Sequence, residues 1–158
     1  MTTNKQTHAK KVLAWRESLT KLSDQHFFDL FRMYLGEIKT PYNKQNLIEQ
    51  LSSILRKEEN KQNIIALLSY QDLLLLAALK VFEEARFTQL KMFFHDSFSS
   101  YDLEVHLQNL EERLLVFRTI DTLSEKQVYA INPLLENSLF PYIGANLLFP
   151  ESKQIAEA

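Results

Sequence analysis

Cysteine is absent from this 158-residue chain, and glycine occurs only twice, at Gly36 and Gly144. Without thiols there is no disulfide staple, no thiolate metal site and no cysteine nucleophile, and the absence fits a reducing compartment. Two isolated glycines cannot build the closely spaced backbone cradle of a P-loop or a dinucleotide-binding turn, so both nucleotide folds are excluded. No apolar run reaches the roughly 18 to 20 residues that a membrane-crossing helix needs, and the polar start MTTNKQTHAKK lacks the apolar centre of a signal peptide. The expectation is a cytoplasmic protein with no membrane partner. Net charge is scarce as well. With 18 Lys and Arg against 20 Asp and Glu, the sum of -2 argues against strong non-specific nucleic-acid binding by the chain as a whole.

What the chain has in quantity is leucine-rich helical pattern. From Ser69 to about Glu84, Leu73 to Leu76, Ala77, Ala78, Leu79, Val81 and Phe82 leave hardly a polar side, so this helix belongs at the centre of a core. Ser69 followed by Asp72 is a capping-box-like start for it. Arg86-Phe87 has room only for a brief strand, and Thr88 can cap a helix carrying Leu90, Met92, Phe93 and Phe94. After the serine-rich turn Ser97 to Ser100, Leu103, Leu107, Leu110 and Leu114 form one stripe of a third helix. Leu115 to Ile120 and Gln127 to Ile131 then read as strands joined by the polar turn Asp121 to Lys126.

Helix, short strand, helix, helix and hairpin is the order of a winged helix. The fold class expected is mainly α (α+β), with a winged-helix module over 69–133, an N-terminal helical extension over 1–68, and a C-terminal helix and tail over 134–158 packed into one unit. In the extension, Met1 to about Thr7 is expected to fray. Val12, Leu13, Trp15, Leu19 and Leu22 mark a first helix. Ser23 or Asp24 caps a second, which Gly36 ends, and Asn43 caps a third with the stripe Leu47, Ile48, Leu51, Ile54 and Leu55. The charged run Arg56 to Lys61 should interrupt it before a short fourth helix containing Ile64, Ile65, Leu67 and Leu68. Asn132-Pro133 suits the start of a closing helix through Leu139 and Phe140, after which Tyr142 to Phe149 is apolar enough to fold back and Glu151 to Ala158 reads as a tail.

The run from Asn109 to Phe117, NLEERLLVF, with Tyr129 to Pro133, YAINP, after the turn, resembles the winged-helix part of the accessory region beside the motor of bacterial xeroderma-pigmentosum-B-type helicases. The likeness covers about Asn43 to Pro133. It implies a non-motor accessory module in DNA repair or transcription, and it carries no catalytic residue over to this chain.

Chemistry has few candidates. His8, His26, His95 and His106 lack the paired i, i+4 spacing of a helical zinc site. Adjacent acids such as Glu111-Glu112 and Glu58-Glu59 diverge by about 100° on a helix and cannot converge on one substrate atom. No nucleophile signature surrounds any serine. Neither an enzyme nor a bound cofactor or metal is expected. The aromatic stretch Phe93 to Phe98 could stack on bases, but with Lys91 as its nearest cation it reads as core.

Two binding functions remain. A DNA-binding winged helix would lay the third helix in a major groove, with Lys10, Lys11 and Arg16 of the first helix, Arg118 and Lys126 as candidate phosphate contacts. A solvated helix face is the plainer account of the first three. The third helix itself carries Asp102, Glu104, Glu111 and Glu112 against Arg113 alone, and Asp121 and Glu125 balance the cations of the wing. That favours the other function, a protein partner bearing lysine or arginine, with Glu104, Gln108, Glu111 and Glu112 as the candidate contact residues.

Overall fold

A computed structural model describes residues 2–121 and 123–149, with side chains from Thr7 onward. Its helices in chain order are α1 Thr2–Thr20, α2 Asp24–Leu35, α3 Lys44–Arg56, α4 Glu58–Ala66, α5 Tyr70–Phe82, α6 Phe87–Phe93, α7 Ser100–Glu112 and α8 Glu136–Leu139. Strands β1 Val116–Ile120 and β2 Gln127–Ile131 pair antiparallel, Val116 opposite Ile131 and Ile120 opposite Gln127. The protein is mainly helical with one small sheet. Among the described residues no single helix is long and apolar enough to cross a membrane. Helices α4 and α5 together have the length and composition, but they meet at a bend of 117°, and α5 is buried within the protein.

Local chemistry sets most helix starts. Ser23 Oγ accepts from the His26 amide, and Asn43 Oδ1 accepts from the Asn46 amide at 3.2 Å. At α5 the box is reciprocal: Ser69 Oγ accepts from Asp72 N at 3.1 Å, and Asp72 Oδ2 accepts from Ser69 N at 2.9 Å. Gly36 ends α2 at a φ of 77°, which only glycine adopts without strain. Four boundaries differ from expectation. Helix α1 extends back to Thr2 instead of fraying to Thr7. The charged run breaks the chain only at Lys57, and α4 begins inside it at Glu58. The start of α6 is set by Gln89, whose Oε1 accepts from Arg86 N at 2.9 Å, so Thr88 lies within the helix. The brief strand falls one residue early, at Ala85, which exchanges two backbone hydrogen bonds with Tyr129.

Two apolar cores share the hairpin between them. The first gathers Leu75 to Leu79, Leu90, Phe94, Leu103, Leu107, Leu110 and Leu139 around α5. The second joins Trp15 and Leu19 of α1, Phe27 and Phe31 of α2, and Leu47, Ile48, Leu51 and Leu55 of α3. Successive side chains of a strand point to opposite faces. Val116, Tyr129 and Ile131 accordingly enter the first core, while Phe117 and Ala130 enter the second. The sheet is therefore a partition at its base, and only its tip projects, with Leu123 94% exposed.

The link from α7 to β1 is a Schellman turn. Leu115 N donates to Leu110 O and Leu114 N to Glu111 O, with Leu114 at a φ of 63° where glycine is usual. That strained residue sends its side chain into the second core, opposite to the rest of its helical stripe. Asn132 holds the turn in place. Fully buried, it donates from Nδ2 to Leu114 O at 2.8 Å and from its amide to Leu115 O, and its Oδ1 accepts from Leu134 N. The Asn132-Pro133 pair thus opens a turn, and α8 proper has only four residues before the 3-10 turn Phe140–Tyr142. Replacing Asn132 by Ala leaves a buried carbonyl without its donor, so a loss of about 2 kcal/mol is expected in urea denaturation. A loss below about 0.5 kcal/mol would show that the turn holds itself.

The chain after Tyr142 does fold back. Ile143 is buried, Leu147 and Leu148 lie against the first core, and the Phe149 ring meets Phe93 edge-on. The tail expected from Glu151 to Ala158 lies outside the described residues. Of the aromatic stretch, Phe94 is buried and stacks edge-to-face with both Phe93 and Phe98.

Candidate functional site

Helix α7 buries Leu103, Leu107 and Leu110 on one side. On the next stripe round, Glu104, Gln108, Glu111 and Glu112 stand at i, i+4, i+7 and i+8, so all four candidate partner contacts share a face. That face looks across at α2. Between the two helices lies an open groove of about 510 Å³, walled by His26, Asp29, Leu30 and Met33 on one side and by the α7 stripe on the other. Trp15, Leu19, Leu22, Leu114, Phe117 and Tyr129 supply its floor and ends. The walls are tied where the Tyr34 hydroxyl donates to the Glu112 carbonyl at 2.7 Å.

Charge within the groove is one-sided. Asp29, Glu104, Glu111 and Glu112 face it against the single guanidinium of Arg118. Arg118 Nε lies 2.7 Å from Glu111 Oε1. Burial pushes the Glu111 carboxyl above its ordinary range; Arg118 opposes that and the neighbouring Glu112 adds to it. Because the folded value lies above the unfolded one, the stability Glu111 contributes is present below the ordinary 4.5 and is lost as pH rises through the raised value. Burial thus works against the charged form of Glu111, and the Arg118 guanidinium offsets it. Burial likewise raises the Tyr129 phenol and pushes Tyr34 up to about 12, with Arg113 opposing the latter, so both phenols stay neutral.

The candidate phosphate contacts are scattered and largely paired. Lys11 reaches Glu136 at 3.0 Å and Arg16 reaches Glu49 at 2.7 Å, tying α1 to α8 and to α3. Arg118 is held by Glu111 in the groove. Lys10 on α1 and Lys126 in the hairpin turn make no ion pair among the described residues, and both are exposed. Arg113, the cation at the C-terminal end of α7, turns inward to Asp72, which leaves the outer face of α7 acidic. These five cations do not form one surface of free charge.

The α2 wall is the part that sequence reasoning missed. Phe27 and Phe31 mark the core side of α2, but Leu30 and Met33 lie three apart on another face, with Met33 68% exposed. A second apolar stripe on a helix already carrying one was the available signal.

Residues 1–56 match the family model TP_0021_N, described as an N-terminal domain. The match ends where α3 ends, at Arg56, and so takes in the α1 and α2 side of the groove but not the α7 side. Neither the comparison with curated proteins nor that with solved structures gave a match.

Proposed function

We propose that this chain is a non-catalytic winged-helix module that binds another protein through the outer face of α7. The observation that carries the reading is the groove itself. The helix in the recognition position shows its polar face to α2 across a cleft with four carboxylates and one guanidinium. A recognition helix in DNA needs that face clear to enter a major groove about 12 Å wide, and needs cations beside it to meet phosphates. Here Tyr34 bridges α2 to the end of α7, and the second core clamps the base of the wing. The element order from α5 to β2 and the resemblance of residues 109–117 and 129–133 support placing the module in a DNA repair or transcription assembly, with its docking work done on protein.

Duplex DNA of arbitrary sequence should accordingly bind with a dissociation constant above roughly 10 µM near physiological salt. Affinity capture from native lysate should retain a partner with the wild-type chain and lose it with Gln108→Arg, which intrudes on the α7 face at an exposed position. Tight, steeply salt-dependent DNA binding in a fluorescence titration, or capture indifferent to Gln108→Arg, would overturn the reading.

A further inference from the structure

We propose that the occupant of the α2–α7 groove is a cationic amphipathic helix of the partner, seated with its apolar side on the floor and its lysine or arginine heads on Asp29, Glu104 and Glu112. The inference rests on the docking function proposed above and adds the chemistry and conformation of the ligand.

Three features point to it. The groove is layered: Leu19, Leu114 and Phe117 of its lining are buried, while Asp29, Glu104 and Glu112 are exposed. A ligand with one apolar and one cationic side matches both layers at once, whereas a wholly polar cation would leave the floor wet. Length is the second feature. Glu104 to Glu112 spans nine residues of helix, about 12 Å of rise, which a ligand helix of two to three turns can follow. Third, both walls are α-helices, whose backbone groups are bonded internally. An extended peptide would find only the short edge of β1 at Val116 to Arg118 to pair with, so recognition falls mainly to side chains, as in helix-in-groove docking.

Charge complementarity decides the sign of the ligand. Arg118 already pairs with one carboxylate, Glu111, and Asp29, Glu104 and Glu112 make no ion pair among the described residues. An acidic helix would add to this repulsion, and a phosphate would meet the same field.

Trp15 makes the test direct, because it is the sole tryptophan and lies in the floor of the groove. A designed Leu/Lys amphipathic peptide of about 14 residues, four turns, is titrated into the full chain by calorimetry and by Trp15 emission. Saturable binding with a change in Trp15 emission is expected, weakening with salt, and a Leu/Glu peptide of the same pattern should not bind. Glu104→Lys with Glu112→Lys, and separately Met33→Lys, should each weaken binding by about tenfold or more, while Glu58→Lys with Glu59→Lys on α4 should change it by less than about twofold. All these positions are exposed, and circular dichroism verifies the fold of each variant. No binding, binding without a response from Trp15, or equal weakening by the α4 reversal would overturn the proposal. Capture of a partner that is sensitive to Gln108→Arg, combined with no peptide binding, removes this ligand and leaves the docking function standing. Loss of both removes both.

Discussion

Leu76→Asp should abolish the cooperative thermal transition of this protein at neutral pH. Leu76 is fully buried at the middle of α5, where its neighbours in the first core come from α6, α7, β1, β2 and α8. Two costs add. Truncating a buried leucine typically removes about 2 to 5 kcal/mol through lost transfer energy and the cavity left behind. An unpaired carboxylate in that cavity costs several kcal/mol more, or is forced to take up a proton. Against a total stability of about 5 to 15 kcal/mol, the sum leaves no folded majority. Leu76→Met, which keeps volume and polarity, should cost less than about 1.5 kcal/mol and serves as the paired control. A sharp melt of the Asp variant near the wild-type temperature would mean that α5 is not the central element.

That α5 is central could be read from the sequence because no face of it is polar. The caps at Ser23, Asn43 and Ser69 were legible for a similar reason: each is a contact across three residues, and the donor and acceptor types stand in the sequence. The hairpin followed from alternation and the polar turn. At the tip, Asp121 accepts from the Leu123 amide and the Ser124 hydroxyl, which is what a short polar side chain does in a turn.

What escaped was decided by groups far apart in the chain. Thr88 is a plausible cap by type, but Gln89 reached back to Arg86 first and started α6 earlier. Asn132 looked like the cap of a long helix, and its amide nitrogen instead goes to Leu114, eighteen residues away, so the segment turns before it coils. The proposed docking face was half legible. Glu104, Gln108, Glu111 and Glu112 could be placed on one stripe by counting, yet the opposing wall depends on the Tyr34 to Glu112 contact across 78 residues, which leaves no periodic trace. The basic face of α1 was legible as charge, while its use was not. Glu49 and Glu136, which hold Arg16 and Lys11, lie on separate helices that only the tertiary fold brings together.

Asp72→Ala should destabilise the protein by about 3 kcal/mol at neutral pH, the second-largest effect expected here. Asp72 serves two elements. One carboxylate oxygen accepts from Ser69 N at 2.9 Å and so completes the α5 cap, and the pair accepts both terminal nitrogens of Arg113, at 3.0 and 2.8 Å, fixing the end of α7 to the start of α5. His106 Nε2 lies 3.4 Å from the same carboxylate. Loss of a cap costs about 1 kcal/mol. A fully buried ion pair broken on one side would cost about 3 to 5 kcal/mol, but Arg113 is 30% exposed and water can reach it, so about 2 kcal/mol is the appropriate share. Arg113 Nε is already the one buried side-chain polar atom without a partner among the described residues, and the variant would remove the Asp72 acceptor of the other two nitrogens.

The pH dependence gives this prediction a signature that a simple packing defect lacks. Burial alone would raise the Asp72 carboxyl, but hydrogen bonds from Arg113 and from the Ser69 amide outweigh it and hold the group below its ordinary 3.8. Its folded value is depressed, so its stabilisation is complete above the unfolded value and is lost as pH falls through the folded one. The gap in unfolding free energy between wild type and Asp72→Ala should stay level from pH 7 to about 5 and narrow below about pH 4. Asp72→Asn, which keeps the shape without the charge, should fall between the two at neutral pH and converge with wild type in acid. A gap that persists undiminished at about pH 3 would show that the Asp72 side chain acts through packing and not through its charge on Arg113.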